Sequence, residues 1–205
     1  MTRIFLIMIF HCSLYAQSKY PADTLLISKT NPILNKIGIL PISLWQRLSY
    51  NTNMFNCQFF PSCSNYGAEA ISKNGILKGC IMTSERITRC NPFAYGYHLE
   101  SKNPFNDEDG RLIDLVKQNS SHSSNRSPII AAILSAIIPG SGRAYSGRTM
   151  DGIIGFSTVI LTVNIAYLSE ERTISRPLFF TTAAVVYLGE IYGAWRSAKY
   201  YQKGD

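Results

Sequence analysis

The sequence predicts an all-α membrane protein: a small three-helix, cysteine-containing domain, then a linker, then a C-terminal transmembrane helical region. Three observations carry this. Apolar residues recur at helical spacing from Ile33 to Cys90. Two long apolar runs begin at Asp151 and Pro177. Only 16% of the 205 residues are charged, with a mean hydropathy of +0.01, on the apolar side for a soluble chain.

The net charge of +7 is spread along the chain without a basic block, and the aromatics lie mostly inside apolar runs. Both features argue against nucleic acid and toward anionic lipid as the partner.

Residues 1–18, MTRIFLIMIFHCSLYAQS, combine basic Arg3, an apolar stretch from Ile4 to Tyr15 and a small-x-small site at Ala16-Gln17-Ser18. A secretory signal peptide is the expectation. As an uncleaved anchor the stretch is short, because a span needs about 20 residues. Cys12 then leaves with the signal.

The domain is expected over residues 33–100. Its first helix, from Ile33, places Ile37, Leu40, Leu44 and Leu48 on one stripe with Lys36 and Arg47 on the polar side. Such a helix lies in a membrane interface, packs on a partner, or serves as an ordinary core helix. Pro41 should start or kink a turn. A second helix, capped by Ser62 or Ser64, ends at Asn74-Gly75.

The third helix, from about Ile76 to Arg89, stacks Leu77, Cys80, Ile81, Ser84 and Ile87 on one side, with Cys80 a small core hydrophobe. Lys78, Glu85, Arg86 and Arg89 gather on the other. There they form either a solvated face or a contact for lipid headgroups or a partner, for which Lys78, Arg86 and Arg89 are the candidates.

Residues 101–128, rich in Ser and Asn, read as a linker with one short helix around Leu112 to Gln118. A calcium loop fails there, because Phe105 and Val116 occupy positions that need ligands. The membrane region covers residues 129–199. The runs from Asp151 and Pro177 would be about 27 and 28 Å long as helices, close to a hydrocarbon core of about 30 Å. Glu190, ionisable within the second run, either snorkels to the interface or faces another helix.

The shorter stretch from Ile129 to Ile138 covers only about 15 Å and either crosses or is half-inserted. Arg143, Arg148, Arg196, Lys199 and Lys203 mark the cytoplasmic side. GRAYSGRT at Gly142 has the glycine spacing of a phosphate-binding loop but no preceding strand and Arg148 in place of lysine. Its glycines read as a tight turn and close helix packing.

The stretch NCQFFPSCSNY raises the question of chemistry. A thiol nucleophile needs a base, and His98 and His122 both fall in expected loops. Zinc prefers closer Cys pairs than Cys57-x5-Cys63 around Pro61, even with Cys90 and His98 added. A signal peptide would place Cys57, Cys63, Cys80 and Cys90 in an oxidising compartment, where Cys90 bridges to Cys57 or Cys63. A cytoplasmic domain would keep packed thiols. No catalytic residue, cofactor, metal or small-molecule substrate is expected.

The order of motifs says more. WQRL at Trp45, CQFFPSCSNYGAEAI at Cys57, NGILKG at Asn74 and RITRCNPF at Arg86 together resemble the YidD family of membrane protein insertion efficiency factors. The match runs from about Leu44 to Phe93. The family pattern falls on Cys57, Phe59, Pro61, Ser62, Cys63, Ser64 and Tyr66, and again on Arg89, Cys90, Asn91 and Pro92. AYGYHLE and Tyr50-Asn51 depart from it, and the family's usual small form lacks the signal and the membrane region.

The resemblance implies a small helical protein that assists insertion of proteins into the bacterial inner membrane, beside an insertase, translocon or nascent chain, without catalysis. The alternative is an envelope structural or membrane-active protein with a disulfide-held extracytoplasmic domain. The signal and basic clusters together favour residues 19–128 outside and Arg143 inside, whereas the resemblance implies a cytoplasmic domain.

Overall fold

The computed structural model describes residues 20–52, 57–117, 125–169 and 175–201. The expected signal peptide, with Cys12, lies outside the described residues, as do His122 and Lys203.

Helix α1, Pro21–Ile27, and α2, Ile33–Ser49, precede a two-residue strand β1, Phe59–Phe60. Helices α3, Cys63–Asn74, and α4, Ile76–Arg89, follow with the bounds their sequence signals set. The Ser62 hydroxyl accepts from the Asn65 N–H, a cap worth about 1 kcal/mol, and Gly75 at φ 83° turns the chain between the two helices. Pro41 lies inside α2 without ending it.

Helices α1, α2 and α3 meet around Ala22, Ile39, Ala68 and Ile71, with Cys80 of α4 packed beside them as the small hydrophobe expected. Helices α3 and α4 cross closely. A Cβ on Gly79 would stand 2.4 Å from Ile71 Cα, so only glycine lets the two backbones come this near.

Residues 101–117 depart from the linker expectation. After α5, Ala94–Glu100, the chain returns as β2, Leu112–Ile113, in place of the expected short helix. This strand pairs in parallel with β1, Phe59 opposite Leu112 and Phe60 opposite Ile113. Its two hydrogen bonds beyond the strand ends, Leu112 N to Gln58 O and Asp114 N to Phe60 O, fix Asp114 beneath the cysteine loop. Composition hid this because a two-residue strand has no periodicity to read.

The C-terminal part comprises α6, Pro128–Ile137, a short α7, Ser141–Tyr145, and two long helices, α8, Thr149–Leu168, and α9, Ser175–Tyr200. Both long helices are long and apolar enough to cross a membrane. Helix α9 is the organiser: it packs against α4, α6 and α8. Its small residues make this close packing possible. Gly189 faces Ser84, and a Cβ on Gly193 would lie 2.0 Å from Arg143 Nη2.

Two helices are reversed in polarity. Helix α2 buries Asn35, Ser43, Gln46 and Ser49 along with Ile39, and exposes Ile33, Leu34, Ile37, Leu40, Leu44 and Leu48, the last by 67%. Helix α4 buries Glu85, Arg86 and Arg89, and exposes Leu77 and Ile87. The stripe of Ile37, Leu40, Leu44 and Leu48 is therefore not core within this chain. The basic stripe is likewise corrected: Arg86 and Arg89 face neither solvent nor lipid headgroups, and only Lys78 of the three candidates is exposed.

Candidate functional site

The buried charges of α4 are the centre of the molecule. Glu85, fully buried, accepts from Arg89 and from Arg196 Nη1 at 3.1 Å. Asp114 accepts from Arg86 Nε at 3.2 Å, Arg89 Nη2 at 2.7 Å and Arg196 Nη2 at 2.7 Å. Arg143 donates to both oxygens of Glu190 at 2.9 Å and approaches Glu85 to 3.8 Å. A separate bridge joins Asp151 to Arg148 at 2.7 Å and to the Asn91 amide at 2.7 Å. Of the two outcomes expected for Glu190, the structure shows the second: its carboxylate faces another helix.

The network joins segments far apart in sequence: α4, the residue after β2, α7 and the end of α9. Each buried charge costs several kcal/mol to desolvate, which pairing and hydrogen bonds must offset. Burial by itself would push the Glu85 carboxyl up, but the charges of Arg89, Arg196 and Arg143 outweigh it and bring its pKa to about 2. Asp114 is likewise held well below the usual range, as Arg196, Arg89 and Arg86 overcome its burial.

A pH dependence follows. A carboxylate whose folded pKa is depressed stabilises the fold fully above its unfolded value and loses that contribution as pH falls toward the folded one. For Glu85 the window runs from its ordinary 4.5 down to about 2, a contribution on the order of 3 kcal/mol. Thermal melts in detergent should show progressive loss of stability as pH falls from about 5 toward 2. Stability that rises on acidification through this window would contradict the arrangement.

The cysteine stretch wraps the same network. Arg86 lies against the Phe59 ring at 4.8 Å and the Tyr66 ring at 4.4 Å, and its Nη2 donates to the Pro61 carbonyl at 2.7 Å. Ser64 accepts from the Gln46 amide at 3.3 Å. Asn91 receives the Phe93 N–H through its side-chain oxygen at 2.9 Å, while Pro92 is exposed. The motif residues thus build a cradle around one arginine.

Cys57, Cys63 and Cys90 converge, their Sγ atoms all within 4.8 Å of one another. Spacing alone did not disclose this, since Cys90 arrives only through the packing of α4. His98 is not beside a thiol in the role of a base. It lies on α5, not in a loop, where burial lowers its pKa and its Nε2 meets the Pro104 carbonyl at 2.8 Å. Beside the thiols, α2 and α4 flank an apolar groove of about 690 Å3 walled by Pro41, Ile42, Trp45 and Ile87.

These features define a class: a helical, membrane-associated protein whose cysteine-bearing domain is locked to an apolar helical hairpin through buried ion pairs. The chain belongs to the YidD family, described as "Putative membrane protein insertion efficiency factor", whose family model matches residues 34–99. A relative of that name from Thermoanaerobacter pseudethanolicus is 48% identical over 63 residues, covering 31% of this chain and 91% of the relative. One from Oleidesulfovibrio alaskensis is 46% identical over 63 residues, covering 31% and 73%. One from Legionella pneumophila is 36% identical over 70 residues, covering 34% and 86%. No solved structure matches the chain.

Proposed function

We propose that this protein is an accessory factor that assists insertion of integral membrane proteins into the bacterial inner membrane without catalysing a reaction. The observation that carries the proposal is the inverted polarity of α2. A helix that keeps Gln46 and Ser43 inside and presents Leu40, Leu44 and Leu48 outside gains nothing from water. It suits a lipid interface or the apolar segment of a client. The names of the relatives supply the process.

Sidedness follows from the ion pairs. Because Glu85 and Asp114 bond Arg196, and Asn91 bonds Asp151, the cysteine domain sits at the end of the hairpin that carries Arg143, Arg148 and Lys199. The outside arrangement needs domain and Arg143 on opposite sides, so this packing supports the cytoplasmic reading instead. With α8 and α9 crossing, the basic end is cytoplasmic, and α6 is half-inserted along α9. Lys78 and Lys199 are exposed there for anionic headgroups.

The test uses the intact chain in cells. Deleting the gene should slow, not abolish, insertion of newly made membrane proteins. A photocrosslinker at Leu44 should capture nascent chains or an insertase or translocon subunit. A crosslinker at Arg86 should capture nothing outside the chain. Capture of wall components alone, with normal insertion rates in the deletion, would favour an envelope structural role and overturn the proposal.

A further inference from the structure

We propose that Cys57, Cys63 and Cys90 form a three-thiolate site for a thiophilic d10 metal ion, zinc(II) or copper(I). This goes beyond the insertion role and does not rest on it; it needs only that the thiols be reduced.

The geometry is the first support. Two sulfurs bound to one ion at about 2.3 Å in tetrahedral or trigonal geometry stand about 3.8 to 4.0 Å apart. Here the Cys57 and Cys63 Sγ atoms are 3.5 Å apart, and all three sulfurs lie within 4.8 Å. Shifts of up to about 1 Å would seat an ion between them. The three arrive from separate pieces of backbone: the loop before β1, the first turn of α3 and the residue after α4. A disulfide would use two and leave the third without a partner.

The surroundings are the second support. Thiolates bound to metals are held by N–H donors that stabilise their charge and fix their direction. The Cys63 N–H donates to Cys57 Sγ at 3.3 Å. The Gln58 amide reaches Cys90 Sγ at 3.7 Å while anchored on the Asn91 carbonyl at 2.8 Å. Phe59, Ala94 and Leu112 pack around the sulfurs and limit their access to water.

Access is the third. The cluster borders the groove beside Ser62 and Ser64, which leaves zinc a route to a fourth ligand, whereas copper(I) is satisfied by three.

The test uses the full chain purified in detergent without oxygen. Elemental analysis should find zinc or copper at one ion per chain. After stripping, cobalt(II) should bind with one-to-one stoichiometry and give thiolate-to-metal charge-transfer absorption that zinc displaces. If the site selects copper(I), a copper(I) probe should bind stoichiometrically where cobalt does not. Cys63→Ser and Cys90→Ser should lose the ion, and Cys80→Ser should keep it.

If the serine variants fail to fold, the wild-type chain still decides. Bound metal should shield Cys57, Cys63 and Cys90 from alkylation and leave Cys80 unshielded. Failure of reduced wild-type protein to bind any of the three ions, binding that survives Cys63→Ser, or a disulfide between Cys57 and Cys63 in protein trapped from intact cells would each overturn the proposal.

Discussion

Asp114→Ala should destabilise the protein by about 3 to 5 kcal/mol, because it removes one carboxylate from three buried guanidinium groups. Arg86, Arg89 and Arg196 all bond Asp114, and all three are buried. With Asp114 gone, Arg196 and Arg89 still share Glu85, but Arg86 retains only the Pro61 and Asp114 carbonyls and two aromatic faces. Against a total stability of about 5 to 15 kcal/mol, the loss should appear as protease sensitivity in membranes and a lowered melting temperature in detergent. Asp109→Ala is the control, because its pair with Arg111 is solvated and should leave the melt unchanged. Equal melts for the two variants would show that the buried network does not hold the fold.

Gly79→Val should prevent the domain from folding at all. The added Cβ would meet Ile71 Cα at 2.4 Å and Ile71 N at 2.5 Å, and these backbone atoms cannot turn away. Helices α3 and α4 would have to separate. Overpacking costs about 1 to 3 kcal/mol where side chains give way, and more where the obstacle is main chain. Separation would also pull Arg86 from Tyr66 and Cys90 from Cys63. The variant should therefore fail to accumulate in membranes, whereas Gly96→Ala, with open space around its Cβ position, should accumulate normally. Normal levels of Gly79→Val would contradict the close crossing.

Much of the architecture was legible in the sequence because it is written in local signals. The capping serine, the Asn74-Gly75 stop and the long apolar runs gave α3, α4, α8 and α9. What escaped was orientation. Periodicity reveals that a helix has two faces, but the assignment of the apolar face to the inside assumes water outside. In α4 that assumption fails, and Arg86 and Arg89 lie inside, not on the outer face that periodicity predicts. The signal available was Glu190 within an apolar run: an acid there needs a base, and Arg143 and α4 could supply charge.

Strand β2 and Asp114 were hidden for a different reason. Their neighbours are the polar residues of an apparent linker, and their role exists only after α9 has closed the network. The cysteines were visible as a motif, but their meeting depends on α4 returning along α3, which residue spacing cannot express. Family likeness compensated in part, since it named the residues that matter without saying what they touch.

The ion pairs also set an order in time. Ribosomes release Glu85 and Asp114 well before Arg196, which follows them by 111 and 82 residues. While the chain is growing, two acids destined for the interior lack that counter-ion. Domain and C-terminal helices therefore complete the network together, late in translation. On the proposed function, a protein that serves membrane biogenesis is itself a demanding product of it.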